Sequence, residues 1–177
     1  ALAQAAVEAG HRVTVVTGPV EVKYPAAAKV IPVVSTEEML AEAQKIFPDC
    51  DGLIAVAAPC DYRPVAVADQ KIRKTGAPLR LELVETPDIV ASLAAAKRRQ
   101  WIVAFALETE DRHLRAMHKI EHKKCDLIVL NGPEAIRAGH SRVEILDRQG
   151  HLLGDFEGDK KEVAKNILRI ISKTLKP

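Results

Sequence analysis

Residues 53–58 (LIAVAA) are an apolar run that limits the folds open to this chain. A strand without a polar face is typical of a parallel sheet that helices cover on both sides. The run stops at Pro59, which has no backbone N–H to give to a strand ladder. It therefore predicts a buried strand in an α/β sheet, with a loop at its carboxyl end.

Helical and strand patterns alternate along the chain as far as residue 130. Strands are predicted at residues 12–17, 29–34, 79–83, 101–107 and 126–130. After a helix at residues 1–9, further helices are predicted to follow the N-capping residues Ser35, Thr86, Thr109 and Asp159. Residues 142–146 and 152–156 flank a turn and predict a hairpin. This order predicts a doubly wound, mostly parallel α/β sheet with helices on both faces and an antiparallel hairpin at its C-terminal edge.

Composition excludes several classes of function. Lys+Arg 26 and Asp+Glu 24 leave a net charge of +2, too balanced for a protein that binds nucleic acid by bulk charge, and aromatic residues at 3% offer no base-stacking platform. The apolar runs are too short to cross a bilayer. The cysteines Cys50, Cys60 and Cys125 form no metal-spaced pair, which favours the cytoplasm. One domain is expected over residues 1–177.

The loop after the apolar run holds Asp61, Tyr62 and Arg63 between Pro59 and Pro64. Ligands of open α/β sheets bind beyond the carboxyl ends of the strands, so Asp61 is a candidate ligand-binding carboxylate. An Asx-type turn beside an exposed arginine is the alternative.

Lysines after this loop are candidate phosphate ligands, because an ammonium group pairs with phosphate as a point charge. Lys71 and Lys74 follow the Asp61 loop, while Lys119 and Lys123 are four residues apart on one helix. We expect Leu114, Met117 and Ile120, or the neighbour of Ile120, to form the apolar side of that helix and leave both lysines on the exposed side. Ordinary solvated charge is the alternative for these lysines.

Two weaker candidates remain. Cys60 is a candidate nucleophile, although no histidine is near in sequence, and a small buried filler is the alternative. His118 and His122 have metal-like spacing on a helix but lie among lysines, so no metal site is predicted.

Five sequence blocks in order resemble the phosphopantothenoylcysteine synthetase family, the phosphopantothenate–cysteine ligases of coenzyme A biosynthesis. They are AAPCDYRP at residues 57–64, KIRK at 71–74, LELVETPDI at 81–89, AFALET at 104–109, and KIEHK…DLIVLN within 119–131. The resemblance covers nearly the whole chain. It implies a Rossmann-like fold, a homodimer, and in bacteria a fused or separate flavin-dependent decarboxylase.

The resemblance also implies a two-step ligation. CTP, or ATP, with Mg²⁺ activates phosphopantothenate as an acyl-nucleotidylate and releases pyrophosphate; the amine of cysteine then forms the amide. Lys71 is the implied catalytic residue. The nucleotide-binding residues implied by position are Ala55, Val56, Ala57, Asp61, Lys71, Thr86, Pro87, Asp88, Ile89, Phe105, Lys119 and Lys123. Gly18 and Asn131 are implied to bind substrate, and no protein metal ligand is implied.

Residues 71–86 are expected to serve as a flap and a dimerisation segment. Lys71 would reach the triphosphate when the flap closes, and the apolar side chains of Leu79, Leu81 and Leu83 would pack against a second copy, unless the last helix covers them. The family's first strand and glycine-rich loop are expected upstream of these residues. A nucleotide-binding homologue without ligase activity and a dinucleotide-dependent oxidoreductase are the alternative functions.

Overall fold

The structure is a computed structural model that describes residues 1–107, 111–131 and 140–175, apart from the side chain of residue 112. Within these residues the helices are α1 (Leu2–Glu8), α2 (Thr36–Ile46), α3 (Ile89–Ala96), α4 (Arg112–Lys123) and α5 (Lys160–Thr174), with a 3₁₀ turn at Phe47–Asp49. The strands are β1 (Thr14–Thr17), β2 (Lys29–Pro32), β3 (Gly52–Ala55), β4 (Tyr62–Pro64), β5 (Leu83–Glu85), β6 (Trp101–Leu107), β7 (Leu127–Asn131), β8 (His140–Asp147) and β9 (Leu152–Asp159).

The main sheet has the strand order β3-β6-β7-β8-β9. The strands β3, β6 and β7 are parallel, while β8 and β9 form the antiparallel hairpin that the sequence predicts. Among the described strands, β1 and β2 form a separate parallel pair, and β4 and β5 form a separate antiparallel ribbon. The predicted fold class is confirmed, with its parallel strands divided between two hydrogen-bonded groups.

Side chains of β6 and β7 alternate between two apolar cores, one on each face of the sheet. Val103 of β6 and Val129 of β7 pack on the face that α1 and α5 cover. On the other face Ile102 packs near α3, and Ile128 packs near α4. Because both faces carry buried apolar side chains, these strands lack polar alternation, as expected for parallel strands between two helical layers.

Helix capping agrees with the sequence at two helices and differs at a third. Ser35 and Glu38 form the expected capping box of α2, and Asp159 accepts hydrogen bonds from the amides of Lys161 and Glu162 at the start of α5. The prediction that Thr86 caps α3 is wrong: Asp88 is the N-cap and accepts from the amide of Ala91 at 3.0 Å. The Thr86 hydroxyl has a partner elsewhere. The Thr109 cap lies outside the described residues.

The central strand is shorter and more exposed than the sequence predicts. The strand β3 ends at Ala55, its residues are only half-buried, and residues 56–60 are exposed. Its ladder with β6 stops at Ala55 opposite Ala104, and β6 is its single hydrogen-bonded neighbour among the described strands. The apolar run therefore leaves the sheet before Pro59, because no second ladder holds it there.

The predicted strand at residues 79–83 is also displaced. The strand β5 begins only at Leu83, and Leu79, Leu81 and Leu83 are 64%, 62% and 52% exposed. The last helix, α5, packs instead against α1, β8 and β9, so it does not cover these leucines. Their alternation therefore reflects an exposed apolar surface on the described chain, not a strand facing the core.

Candidate active site

An arm formed by residues 61–86 leaves the body of the protein after β3. Its base is the β4–β5 ribbon, in which Tyr62 pairs with Glu85 and Pro64 with Leu83. At the root of the arm, Thr86 donates its backbone N–H to the Asp61 carbonyl at 2.9 Å and its hydroxyl to the Cys60 carbonyl at 2.6 Å. These two bonds explain why Thr86 does not cap α3, and they hold Thr86 beside the Asp61 loop.

Charged contacts tie the arm to the body and to itself. The Arg63 guanidinium forms an ion pair with Glu37 in the first turn of α2. The hydrogen bond that the Arg63 guanidinium donates to the Glu37 carboxylate lowers the pKa of Glu37. The Tyr62 hydroxyl donates to Glu85 at 3.2 Å across the ribbon, and the negative charge of Glu85 raises the pKa of Tyr62. The outer loop, which carries Lys71, is exposed throughout.

Two residues from separate sequence blocks meet next to the root of the arm. The ammonium Nζ of Lys123, in the last turn of α4, lies 3.1 Å from Oδ2 of Asp88, the N-cap of α3. Burial by itself would raise the pKa of Asp88, but the amide of Ala91 and the Lys123 ammonium outweigh it and lower the pKa. A chain of contacts therefore links four predicted site residues. Thr86 is hydrogen-bonded to Asp61, Asp88 is two residues after Thr86, and Lys123 pairs with Asp88.

The predicted faces of α4 are partly wrong. Ala116 and Ile120 are buried and Met117 is half-buried, but Leu114 is 63% exposed. Lys119 and Lys123 are both half-buried, whereas the sequence places them on the exposed side. Lys119 and Lys123 each follow a buried residue, Ala116 or Ile120, by three positions, so they lie beside the apolar stripe of the helix. The helix α3 packs beside α4.

Other predicted site residues lie on or beside β3, β6 and α3. Ala55 is opposite Ala104 in the β3–β6 ladder, one residue before Phe105, while Val56 and Ala57 are exposed beyond it. Phe105 is half-buried against the core on the α1–α5 face, opposite to the face of α3 and α4. Pro87 is half-buried, and Ile89 packs against the core beneath α3.

The two predicted substrate-binding residues end different strands. Gly18 follows β1, where the Thr17 hydroxyl shares a 2.7 Å hydrogen bond with the Tyr24 hydroxyl. Asn131 is the last residue of β7, between Leu107 and Val143 on the flanking strands. Both lie at the carboxyl ends of parallel strands, the edge at which open α/β sheets bind ligands. In the part of the chain that the structure describes, no side-chain hydrogen bond or ion pair joins either residue to the Asp88–Lys123 pair.

A polar network that sequence reasoning missed lies where α4 passes into β7. The Asp126 carboxylate accepts from Lys97 Nζ at 2.8 Å, from the backbone N–H of Ile102 at 2.7 Å and from Arg148 at 2.6 Å. Asp126 opens the DLIVLN block, so the sequence marked its position but not its partners. Those partners, at residues 97, 102 and 148, come from three other parts of the chain.

The cysteines and histidines do not form a second site among the described residues. Cys60 is exposed, so its interpretation as a buried filler is wrong. Burial raises the pKa of the Cys125 thiol to about 11, which makes it a poor nucleophile. Within residues 1–107, 111–131 and 140–175, no three His, Cys, Asp or Glu side chains are grouped to hold a metal, and no helix is long and apolar enough to cross a membrane.

The fold and the site define a doubly wound α/β protein with polar residues gathered where parallel strands and helix termini meet. The chain belongs to the family described as DNA/pantothenate metabolism flavoprotein C-terminal domain, whose model matches residues 1–175. Curated relatives of the chain are coenzyme A biosynthesis proteins. Together with the family match, they confirm the resemblance that the sequence blocks indicate.

Curated relatives support the same placement. The chain is 42% identical over 134 residues, or 74% of its length, to the coenzyme A biosynthesis bifunctional protein CoaBC of Vibrio vulnificus, and 38% identical over 85% of its length to that of Bacillus subtilis. It is 37% identical over 97% of its length to a cysteine/cysteine sulfinic acid decarboxylase of an unknown prokaryotic organism. It spans only 33%, 38% and 49% of these relatives.

Solved structures share the fold. The crystal structure of the C-terminal domain of a CoaBC protein superposes with a TM-score of 0.81 at 29% identity, over 98% of this chain and 81% of that one. A Cab2 mutant in complex with phosphopantothenate-cysteine superposes with a TM-score of 0.66 at 16% identity, over 83% of this chain and 53% of that one. The Cab2 likeness shows the fold alone.

Proposed function

We propose that this chain is a phosphopantothenate–cysteine ligase domain that joins the two substrates through an acyl-nucleotidylate. The contact between Asp88 and Lys123 carries the proposal, because two residues implied to bind nucleotide, 35 positions apart in the sequence, lie 3.1 Å apart in the fold. The family, with its coenzyme A biosynthesis members, supplies the reaction class.

The proposed reaction has two displacement steps. In the first, a carboxylate oxygen of phosphopantothenate attacks the α-phosphorus of CTP, the bond to the β-phosphate oxygen breaks, and pyrophosphate leaves. In the second, the amine of cysteine attacks the activated acyl carbon and CMP leaves with the electron pair of the acyl–oxygen bond. The amine proton is released to solvent as the amide forms.

The residues of the site fit these steps by their chemistry. The Asp61 carboxylate would accept hydrogen bonds from ribose hydroxyls or the base amine. Because Phe105 lies on the opposite face of the sheet from α3 and α4, it would pack against the base only where the nucleotide crosses the edge of the sheet. The ammonium groups of Lys119 and Lys123 would bind phosphate oxygens and stabilise the charge that grows as pyrophosphate leaves. Lys71, on the exposed outer loop of the arm, would join them when the arm closes over the nucleotide and excludes water.

Magnesium fits the site as a companion of the nucleotide. The described residues contain no group of three potential ligands, whereas Mg²⁺ in nucleotide sites is usually held by phosphates with one or two carboxylates. Asp61, at the root of the arm, is the carboxylate proposed to help hold the ion together with the phosphates. When bound, the ion would offset phosphate charge.

The proposal includes partners that the sequence resemblance implies. A decarboxylase is a proposed partner, on the same chain as the ligase or on a separate one, because the CoaBC relatives are bifunctional proteins. A second copy of the chain is the proposed partner for the exposed apolar side chains of the arm, which include Val65, Val67, Ile72, Leu79, Leu81 and Leu83. CTP is proposed over ATP, and the cytoplasm is the proposed compartment.

Pyrophosphate release tests the function directly. Purified protein is incubated with CTP or ATP and Mg²⁺, with and without phosphopantothenate, and pyrophosphate is measured before cysteine is added. We expect release that requires phosphopantothenate and is faster with CTP. Nucleotide binding without any release would establish the binding homologue instead.

Variants test the site. Lys119→Ala and Lys123→Ala should each weaken CTP binding by about 1–3 kcal/mol, the usual contribution of a hydrogen bond to a charged group, while leaving the fold intact. Lys165→Ala is the matched control, because Lys165 is an exposed lysine on α5, paired with Glu8 at 3.5 Å on the other face of the sheet. Unchanged CTP affinity in both site variants would show that neither lysine binds the nucleotide.

A further inference from the structure

Both ends of α3 contact the short segment that ends α4. At the N-terminal end, the N-cap Asp88 pairs with Lys123 at 3.1 Å. At the C-terminal end, the C-cap residue Lys97 donates from Nζ to the Lys124 carbonyl at 3.2 Å and to Asp126 Oδ2 at 2.8 Å. Residues 123–126 are therefore held from two directions by one helix.

The Lys97 end of this arrangement is the more buried. The side chains of Lys97 and Asp126 are 16% and 18% exposed, against 30% and 36% for Lys123 and Asp88. Asp126 is fixed further by the backbone N–H of Ile102 and by Arg148, which also donates to the Cys125 carbonyl at 3.0 Å. Ion pairs and hydrogen bonds in a poorly solvated place hold their geometry more firmly than exposed ones do.

The backbone at the end of α4 requires such support. Lys124 adopts the left-handed conformation with φ +48°, which is unfavourable for a residue with a side chain. Lys97 binds the carbonyl of that residue. The turn at Lys124 fixes how α4 ends, and hence where the side chain of Lys123, one residue earlier, leaves the helix.

We propose that Lys97 is a positioning residue for Lys123: it does not touch the nucleotide, but it holds the turn from which the Lys123 ammonium reaches the phosphates. The inference rests on the proposed function, since it requires Lys123 to bind nucleotide. On this proposal, the network around Asp126 supports ligand binding and also connects α3, β6 and β7.

A double-mutant cycle with CTP as the probe tests the inference. The Kd of Mg²⁺–CTP is measured by calorimetry for the wild type, Lys97→Met, Lys123→Ala and the double variant. We expect Lys97→Met to raise the Kd by about threefold or more, and to change it by less than about twofold once Lys123 is alanine, because residues in one network are coupled. Lys97→Arg, which keeps a cation at Asp126, should restore most of the affinity.

The controls separate positioning from general weakening of the fold. Lys165→Met removes the same charge at a distant exposed site and should leave the Kd unchanged. If Lys97→Met does not fold, Lys97→Gln, which keeps a polar group at this half-buried position, takes its place with the same expectation. An unchanged Kd in the Lys97 variant, or an equal rise with and without Lys123, overturns the inference. No CTP binding by the wild type overturns the proposed function and the inference with it. No effect of Lys123→Ala overturns the inference alone, because the inference requires Lys123 to bind the nucleotide.

Discussion

Asp88 performs two tasks that substitution can separate. Its Oδ1 accepts from the amide of Ala91 at 3.0 Å as the N-cap of α3, and its Oδ2 lies 3.1 Å from the Lys123 ammonium. Asp88→Asn keeps a capping oxygen and loses the ion pair, while Asp88→Ala loses both. An N-cap contributes about 1 kcal/mol, and an ion pair whose side chains are 30% and 36% exposed contributes about 0.5 kcal/mol. We therefore expect losses in the free energy of unfolding of about 0.5 kcal/mol for asparagine and about 1.5 kcal/mol for alanine.

Urea unfolding followed by circular dichroism measures these differences. Asp69→Asn, in the exposed outer loop of the arm, is the control for removal of one negative charge and should change the unfolding free energy by less than about 0.5 kcal/mol. Equal losses for Asp88→Asn and Asp88→Ala would refute the division into cap and ion pair. No loss for Asp88→Ala would show that Asp88 does not cap α3.

The pH dependence of the same comparison has a definite sign. The pKa of Asp88 is lowered in the folded protein from its ordinary value of 3.8, so its contribution to stability is complete above that value and is lost as the pH falls through the folded pKa. The stability difference between the wild type and Asp88→Asn should therefore be constant near neutrality and shrink below about pH 3.8. A difference that grows as the pH falls would contradict a lowered pKa.

Three further predictions concern the arm and the sheet. Lys71→Gln should slow pyrophosphate release by about 10²-fold without changing stability, because it removes a charge proposed to stabilise the transition state; release at the wild-type rate with saturating substrates would refute closure of the arm. The protein should be a dimer by light scattering at micromolar concentration, and Leu81→Asp should make it monomeric, since Leu81 is 62% exposed on the arm; a monomeric wild type would rule out the second copy. Gly52→Ala should lower the free energy of unfolding by about 1–3 kcal/mol, because its Cβ would lie 2.0 Å from Cδ2 of Trp101; unchanged stability would mean that the Trp101 ring moves aside at no cost.

The sequence by itself determined the features that depend on neighbouring residues. The apolar pattern of β6 and β7 predicted strands covered on both faces, and the two cores confirm it. The capping box at Ser35 and the hairpin of β8 and β9 were also predicted, because a cap and a turn are formed by residues a few positions apart. The blocks of sequence likewise identified the family, which needs only residue types at fixed spacing.

Only the tertiary structure decided which of several suitable groups performs each task. Thr86 has the chemistry of an N-cap, but the carbonyl of Cys60, 26 residues away, takes its hydroxyl and leaves the cap to Asp88. The alternation at residues 79–83 resembled a half-buried strand, yet no part of the described chain packs over its leucines. In the sequence, Lys123 resembles an ordinary solvated lysine, whereas in the structure it pairs with Asp88 of α3. The sequence could not predict this pair, because a contact between distant residues depends on how helices pack and leaves no local pattern.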